Sequence, residues 1–246
     1  MTRFFIQEDQ VKNEVATIVG PDARHISKVL RYQPGQELIL VWRQQAWMGQ
    51  ILQISENRVE IAMCHPLEEN KEAPLAMYLL QGIAKGEKMD FIIQKSVELG
   101  VIAFIPVSCH YSVVQLTGKK AQERRNRWQK IAESAAKQCG RLTIPEIYPV
   151  SSMAEALSYL PEDCRIIMAW EKTEDLSLAT ALDGEKPAAA ALIIGPEGGL
   201  TFEEALLAKE KGASLVSLGK RILRTETAAL AALSIIMYRW GDVGVD

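Results

Sequence analysis

Two stretches of this chain hold residue types that could carry chemistry. They are Gly195-Pro196-Glu197-Gly198-Gly199 and Gly219-Lys220-Arg221-Ile222-Leu223-Arg224-Thr225-Glu226-Thr227. Each follows a short apolar run, Ala189–Ile194 in the first case and Ser214–Leu218 in the second. A buried strand that stops in a glycine-bearing loop before a helix places that loop at the strand's carboxyl end, where open α/β sheets bind ligands. The first loop lacks the third glycine of G-x-G-x-x-G and has no G-K-[ST] ending, so neither common phosphate cradle fits. Glu197 puts a carboxylate inside the turn, where it opposes a bound phosphate.

A neutral or cationic ligand suits this loop better. S-adenosylmethionine, an adenosine with no phosphate and a positive sulfonium, meets that requirement. In the second loop Arg221 and Arg224 alternate with apolar residues, which aims at least one guanidinium at whatever lies beside the strand ends. A plainer reading stays open on composition. Gly195-Pro196 and Gly198-Gly199 could simply make a tight corner with Glu197 in water, Ile222 and Leu223 could be core, and Thr225 and Glu226 could cap the final helix and complement its dipole.

The elements that would position these loops follow a strand–helix alternation from residue 75 onward. Leu75–Leu80 is a continuous apolar run, as expected of a strand covered on both faces, and Val101–Val107, Arg165–Trp170, Ala189–Ile194 and Ser214–Leu218 are further, largely apolar strand patterns. Between them, Lys88–Leu99 has helical spacing with Gly100 as C-cap, and a basic helix runs from Lys119 to a stop at Gly140. Ser152-x-x-Glu155 and Thr201-x-x-Glu204 have the form of capping boxes. A short helix is expected over Asp175–Leu182, and a last helix from the cap Thr225 to about Trp240. The pattern predicts an α/β domain with a mostly parallel sheet and helices on both faces.

Residues 1–64 differ. Phe4–Ile6, Glu37–Trp42, Trp47–Leu52 and Arg58–Met63 are short strand patterns, consistent with a small barrel. Among them a helix is expected from the cap Asp22, with Ile26, Val29 and Leu30 on its inner face and Arg24, Lys28 and Arg31 elsewhere. The charged, proline-bounded stretch His65–Pro74 is the best boundary, giving domains 1–70 and 71–246.

The 246 residues carry a net charge of −3, which by itself points to no polyanion. The distribution does: Lys119–Arg141 holds eight basic residues against Glu123 and Glu133. The four cysteines are widely spaced and only three histidines occur, so neither a zinc site nor a disulfide framework is expected, and buried free thiols are the default. The chain starts without the apolar core of a signal peptide, and its longest apolar run, Ala228–Trp240, is too short to span a bilayer. A cytoplasmic protein is expected.

The two C-terminal motifs, Gly195-Pro-Glu-Gly-Gly-Leu-Thr-x-x-Glu204 and Ser217-Leu-Gly-Lys-Arg-Ile-Leu-Arg-Thr-Glu-Thr-Ala228, closely resemble the bacterial small-subunit ribosomal RNA methyltransferase E family. That family belongs to the SPOUT class of trefoil-knot methyltransferases. His25-x-x-Lys28-Val-Leu-Arg31 is similar to its PUA-like N-terminal barrel. Lys95-x-x-Glu98-Leu-Gly100, Arg127-x-x-x-Ile131 and Gln138-Cys-Gly-Arg141 are similar to its catalytic domain. The resemblance implies a knotted cofactor pocket, a homodimer, no metal and no membrane. It also implies methyl transfer from S-adenosylmethionine to N3 of one uridine in 16S rRNA, with the assembled small subunit as the expected context.

On that basis the cofactor would contact Ala169, Trp170, Ile194, Gly195, Pro196, Glu197, Gly198, Leu218, Gly219, Ile222, Leu223 and Ala228. Arg224 is the expected group for stabilising the uracil anion, and Glu226 or Glu197 would accept its proton. Arg3, Arg24, His25, Lys28, Arg31, Lys85, Arg124, Arg125, Arg127, Arg141 and Arg221 would contact RNA. The rivals are a knotted methyltransferase for tRNA or large-subunit rRNA, a non-catalytic RNA-binding protein and, last, a nucleotide-dependent enzyme.

Overall fold

The computed structural model describes residues 1–173 and 176–244. The chain divides into two compact units. The first comprises Met1–Glu72 and Ala136–Thr143, and the second Ala73–Ala135 and Ile144–Asp246. A boundary at residue 70 misses the return of 136–143 to the first unit.

The first unit is built on strands β1 (Arg3–Phe5), β2 (Val11–Lys12), β3 (Val15–Val19), β4 (Glu37–Trp42), β5 (Gln45–Ile54) and β6 (Arg58–Pro66). They form one sheet in the order β1-β4-β5-β6-β3-β2, parallel only between β1 and β4. Register shifts at Met48/Gly49 and between Ile51 and Gln53 fall in the longest strand, and such irregularities increase local twist and curl the sheet. Phe4, Leu38, Leu40, Ile51, Val59 and Ile61 fill its inner face. Ile39 and Val41 face the other way, where Leu142 covers them. That second cover is why Glu37–Trp42 is apolar throughout rather than alternating.

Helix α1 (Pro21–Arg24) opens on Gly20, not on Asp22. Pro21 sits at its first position, where a missing N–H costs nothing, and the Asp22 carboxylate pairs with Lys137 Nζ at 3.0 Å. The helix then widens into a π-turn over His25–Val29. The altered period buries Ile26 but turns Val29 out to 67% exposure, so the expected Ile26/Val29/Leu30 face does not form.

The second unit contains β7 (Ala76–Gly82), α2 (Lys88–Glu98), β8 (Val101–Val107), α3 (Gly118–Cys139), β9 (Glu146–Ile147) and α4 (Met153–Ser158). It continues with β10 (Arg165–Ala169), α5 (Leu178–Ala181), β11 (Ala189–Ile194), α6 (Phe202–Glu210), β12 (Ser214–Val216) and α7 (Thr225–Trp240). The last turn of α3 groups with the first unit. Of the short helix expected over Asp175–Leu182, Asp175 lies outside the described residues. The remainder forms α5, capped by Ser177.

All strand pairs of this sheet are parallel, in the order β12-β10-β11-β7-β8-β9. β10 lies between β11 and β12, so the connection leaving β10 runs to β11 on one side and the connection leaving β11 returns past β10 to β12 on the other. That reversal opens a crevice above β10. Both capping boxes form: Ser152 with Glu155, and Thr201 with Glu204. Helix α7 packs on α2 and on β11. The small residues Ala229 and Ala232, both fully buried, permit the close approach.

Of the four thiols, Cys109 is buried, Cys139 and Cys164 are half-buried, and Cys64 is exposed, against the expectation that all are buried. Burial pushes the Cys109 thiol up to about 12 and that of Cys164 to about 11. Among the described residues no helix is long and apolar enough to cross a membrane.

Candidate active site

The carboxyl ends of β10, β11 and β12 surround a cavity of about 1010 Å³. Three loops wall it. Ala169, Trp170, Glu171 and Thr173 come from the β10 end, Ile194 to Leu200 from the β11 end, and Ser217 to Thr225 from the β12 end. Ala228 of α7 and Lys88 of α2 complete the lining. All twelve residues expected to contact a cofactor line this one cavity, as do Arg221 and Arg224. The β12 loop is held on both sides. Ser217 N donates to Leu176 O at 2.9 Å, and Thr225 Oγ1 donates to Gly195 O at 2.7 Å.

The glycine turn is shaped by what lies against it. A Cβ at Gly198 would stand 2.6 Å from Tyr111 Cβ, closer than any side chain tolerates, so the turn packs directly on the loop after β8. Gly82 at the end of β7 has the same role from beneath. A Cβ there would lie 2.5 Å from Pro196 N and Cδ. The helix after the turn supplies no anion site. Thr201 and Glu204 satisfy each other's backbone N–H groups, and Glu203 and Glu204 already occupy the first turn of α6 against its dipole. Backbone bonding of Glu203 and the Thr201 hydroxyl hold the Glu203 carboxyl below its ordinary range. A phosphate brought there would meet filled donors and negative charge.

The charged groups divide sharply. Glu197 accepts from Lys88 Nζ at 3.0 Å and from Lys85 N at 3.1 Å. Burial opposes its charge, but the Lys88 bond and the backbone donors prevail and hold its carboxyl below the usual range. Lys88 also reaches Glu226 Oε2 at 3.5 Å, and the bond to Glu197 raises the pKa of Lys88. Glu226 is absent from the cavity lining; its buried Oε2 atom has the Lys88 ammonium as its charge partner. The expectation that Glu197 or Glu226 takes a proton from a substrate gains no support from this arrangement. One is a stabilised carboxylate already bound to lysine, and the other lies outside the cavity. Together with Lys88 they pin the glycine turn and the start of α7 to the start of α2. Arg224 is different: it is exposed, lines the cavity and makes no ion pair among the described residues.

Thr225 is also corrected. The N-cap of α7 is Arg224, without a side-chain cap bond, and the Thr225 hydroxyl goes to Gly195 instead. Sequence reasoning missed Lys88 and Gln81. Lys88 stood on a helix with no visible partner. Gln81 follows the apolar run Leu75–Leu80, and a polar residue closing such a run is the only signal of it in the sequence; the structure buries it completely.

The residues expected to contact RNA separate by burial. In the first unit, Arg24, His25, Lys28 and Arg31 are all exposed on one short segment. Arg24 bonds Asn57 at 2.8 Å and Lys28 pairs with Glu56 at 2.8 Å. Arg3 and Arg141 are corrected: both are buried, paired with Glu69 and Glu72 at 2.6 Å each, and so belong to the interior. In the second unit, Lys85, Arg124 and Arg221 are exposed. Arg127 is exposed but paired with Asp90. Arg125 is half-buried and donates to Ile147 O at 2.7 Å, tying α3 to β9 rather than reaching outward.

Two family models match the chain: an RNA methyltransferase domain over residues 71–237 and an RNA methyltransferase PUA domain over residues 19–64. Fold and cavity thus define an RNA methyltransferase of the α/β SPOUT class, preceded by a PUA-like barrel. Ribosomal RNA small subunit methyltransferase E of Bacillus subtilis (strain 168) is 36% identical over 249 residues, covering 97% of each chain. The Buchnera aphidicola subsp. Schizaphis graminum (strain Sg) protein of that name is 32% identical and covers 98% of this chain and 97% of its own. The crystal structure of a ribosomal RNA small subunit methyltransferase E from Neisseria gonorrhoeae bound to S-adenosyl methionine has a TM-score of 0.87 and 37% identity, covering 98% of this chain and 99% of that one. This chain belongs to the ribosomal RNA small subunit methyltransferase E family.

Proposed function

We propose that this protein methylates N3 of one uridine in 16S rRNA, with S-adenosylmethionine as the methyl donor. The observation that carries the reading is the roomy cavity built from loop backbone at three parallel strand ends, beside a helix start closed to phosphate. An adenosine and a methionine chain fit such a lining, and the dinucleotides and nucleoside triphosphates of the last rival do not. Gly195 to Gly199, Leu218-Gly219, Ile222-Leu223 and the Ala169-Trp170 wall would hold the two parts. When bound, the group supplies an electrophilic methyl on a sulfonium.

The chain's own residues align and activate the acceptor. Alignment accounts for much of such a rate gain. Uracil N3 is a poor nucleophile until its proton leaves. Arg224, a free guanidinium at the cavity, stabilises the resulting anion. With Glu197 and Glu226 bound to Lys88, the proton passes to solvent rather than to either carboxylate. The base has to leave its stack to enter. Arg24, His25, Lys28 and Arg31 in one unit and Lys85, Arg124 and Arg221 in the other supply phosphate contacts, with the assembled small subunit as the partner. Phe91 on α2 and Ile235 and Tyr238 on α7, exposed apolar side chains on two packed helices, support a homodimer. The expected location is cytoplasmic.

Incubation with methyl-labelled S-adenosylmethionine and small subunits tests the reading. Label recovered as 3-methyluridine is expected. Label on a ribose oxygen or on tRNA favours the knotted rival, and no cofactor binding at millimolar concentration favours a pure RNA binder. In the same assay Arg224→Ala is expected to slow transfer about 100-fold, as for loss of one anion-stabilising donor. Its cofactor affinity should be nearly unchanged.

A further inference from the structure

Gln81, the penultimate residue of β7, is completely buried. Its Nε2 donates to Gly82 O at 3.0 Å and to Thr225 Oγ1 at 2.9 Å, and reaches Gly195 O at 3.4 Å. Two of these partners are carbonyl oxygens, which only the NH₂ end of an amide can serve, so the side chain has one possible orientation. The order of bonds follows from it. Thr225 Oγ1 accepts from Gln81, so its own hydrogen goes to Gly195 O at 2.7 Å. That bond joins the first residue of the glycine turn to the first residue of α7. Arg224 immediately precedes it, and no ion pair of its own fixes its place.

We infer that Gln81 and Thr225 are positioning residues that set the distance between the glycine turn and Arg224. On the reading proposed above, on which this rests, that is the distance between methyl donor and acceptor base. Neither residue touches the reacting atoms. The hydroxyl is used across the loops instead of for capping, and a buried glutamine is committed to orienting it. A merely stabilising contact in the same place needs no such directed chain.

The test compares wild type, Thr225→Val and Thr225→Ser. Valine keeps the shape and removes the hydroxyl; serine keeps the hydroxyl. Single-turnover methyl transfer at saturating cofactor and RNA, cofactor affinity by calorimetry and thermal midpoint are measured for each. Displacement of about 1 Å costs on the order of 100-fold in rate. Thr225→Val is therefore expected to transfer 10- to 100-fold more slowly (roughly that range), with cofactor affinity within about threefold of wild type. Thr225→Ser is expected to stay within about threefold in both. The inference is overturned by a Thr225→Val protein that transfers at the wild-type rate, by serine failing to rescue, or by a rate loss matched by an equal loss of cofactor affinity. If Thr225→Val does not fold, Gln81→Met, which keeps the volume and removes the donor, carries the same expectations. A wild-type protein that transfers no methyl group to small-subunit RNA would instead be a failure of the underlying reading, not of this one.

Discussion

At the scale of single residues, the site separates cations and carboxylates that hold the cavity together from Arg221 and Arg224, which line it and make no ion pair among the described residues. Glu197, Lys88 and Glu226 form the holding set. Replacing Glu226 by Gln should therefore leave single-turnover transfer within about threefold of wild type, whereas loss of a general base typically costs 10²- to 10⁴-fold, roughly. The Glu197 carboxyl lies below its ordinary range in the folded protein. Its contribution is thus present above the unfolded carboxylate value and is lost only as pH falls through the lower folded value. Cofactor affinity measured from neutral pH downward should accordingly hold until the medium is more acid than the ordinary glutamate range. Lys88→Met should weaken cofactor binding by about a few-fold at most, as ion pairs open to solvent contribute little. The residues lining the cavity were legible because glycine, proline and strand-end position mark a loop by local rules. The fate of Glu226 was not, because it depends on Lys88, far away in sequence.

At the scale of elements, Glu72 ties the return segment 136–143 into the first unit. Glu72 accepts from Arg141 Nε and a second guanidinium nitrogen at 3.0 and 2.6 Å, and from Leu142 N and Thr143 N at 2.7 and 3.0 Å. Burial opposes its charge, and these donors hold its carboxyl below the usual range despite it. Glu72→Gln leaves the buried Arg141 charge without its counter-ion and should destabilise the protein by about 3 kcal/mol in urea unfolding. The difference from wild type should shrink in acid, as the wild-type carboxyl is itself protonated below its lowered folded value. The β4–β5 hairpin turns on Arg43 and Gln44, at φ +50° and +59°, a left-handed conformation that favours glycine. Gln44→Gly should raise stability by about 0.5 kcal/mol, after the greater freedom of glycine in the unfolded chain is offset. Runs such as Val101–Val107 and Ala189–Ile194 were legible to the residue because both faces are covered. The two-residue strands β2 and β9 carry too little pattern to find, and the π-turn at His25–Val29 breaks the period on which helix reading depends.

At the scale of the whole molecule, strand–helix alternation showed an α/β domain behind a β-rich one. It did not show that Ala136–Thr143 groups with the N-terminal unit, since a helix pattern does not record what its end packs on. The basic stretch was legible, its division was not. Lys120, Arg124 and Lys130 are exposed with no ion pair among the described residues, whereas Arg125 and Arg127 are engaged. Changing those three to Ala should lower the salt dependence of RNA binding by about two to three units of slope, at 0.7–0.9 per lost phosphate contact, roughly. Arg125→Ala and Arg127→Ala should change it far less. The central claim is tested most directly in cells: 16S rRNA from cells with and without this protein, digested and mapped by mass spectrometry. One uridine carrying a methyl group at N3 only when the protein is present is the expected result. An identical methylation pattern in both, or a change confined to a ribose or to another RNA, would contradict the account.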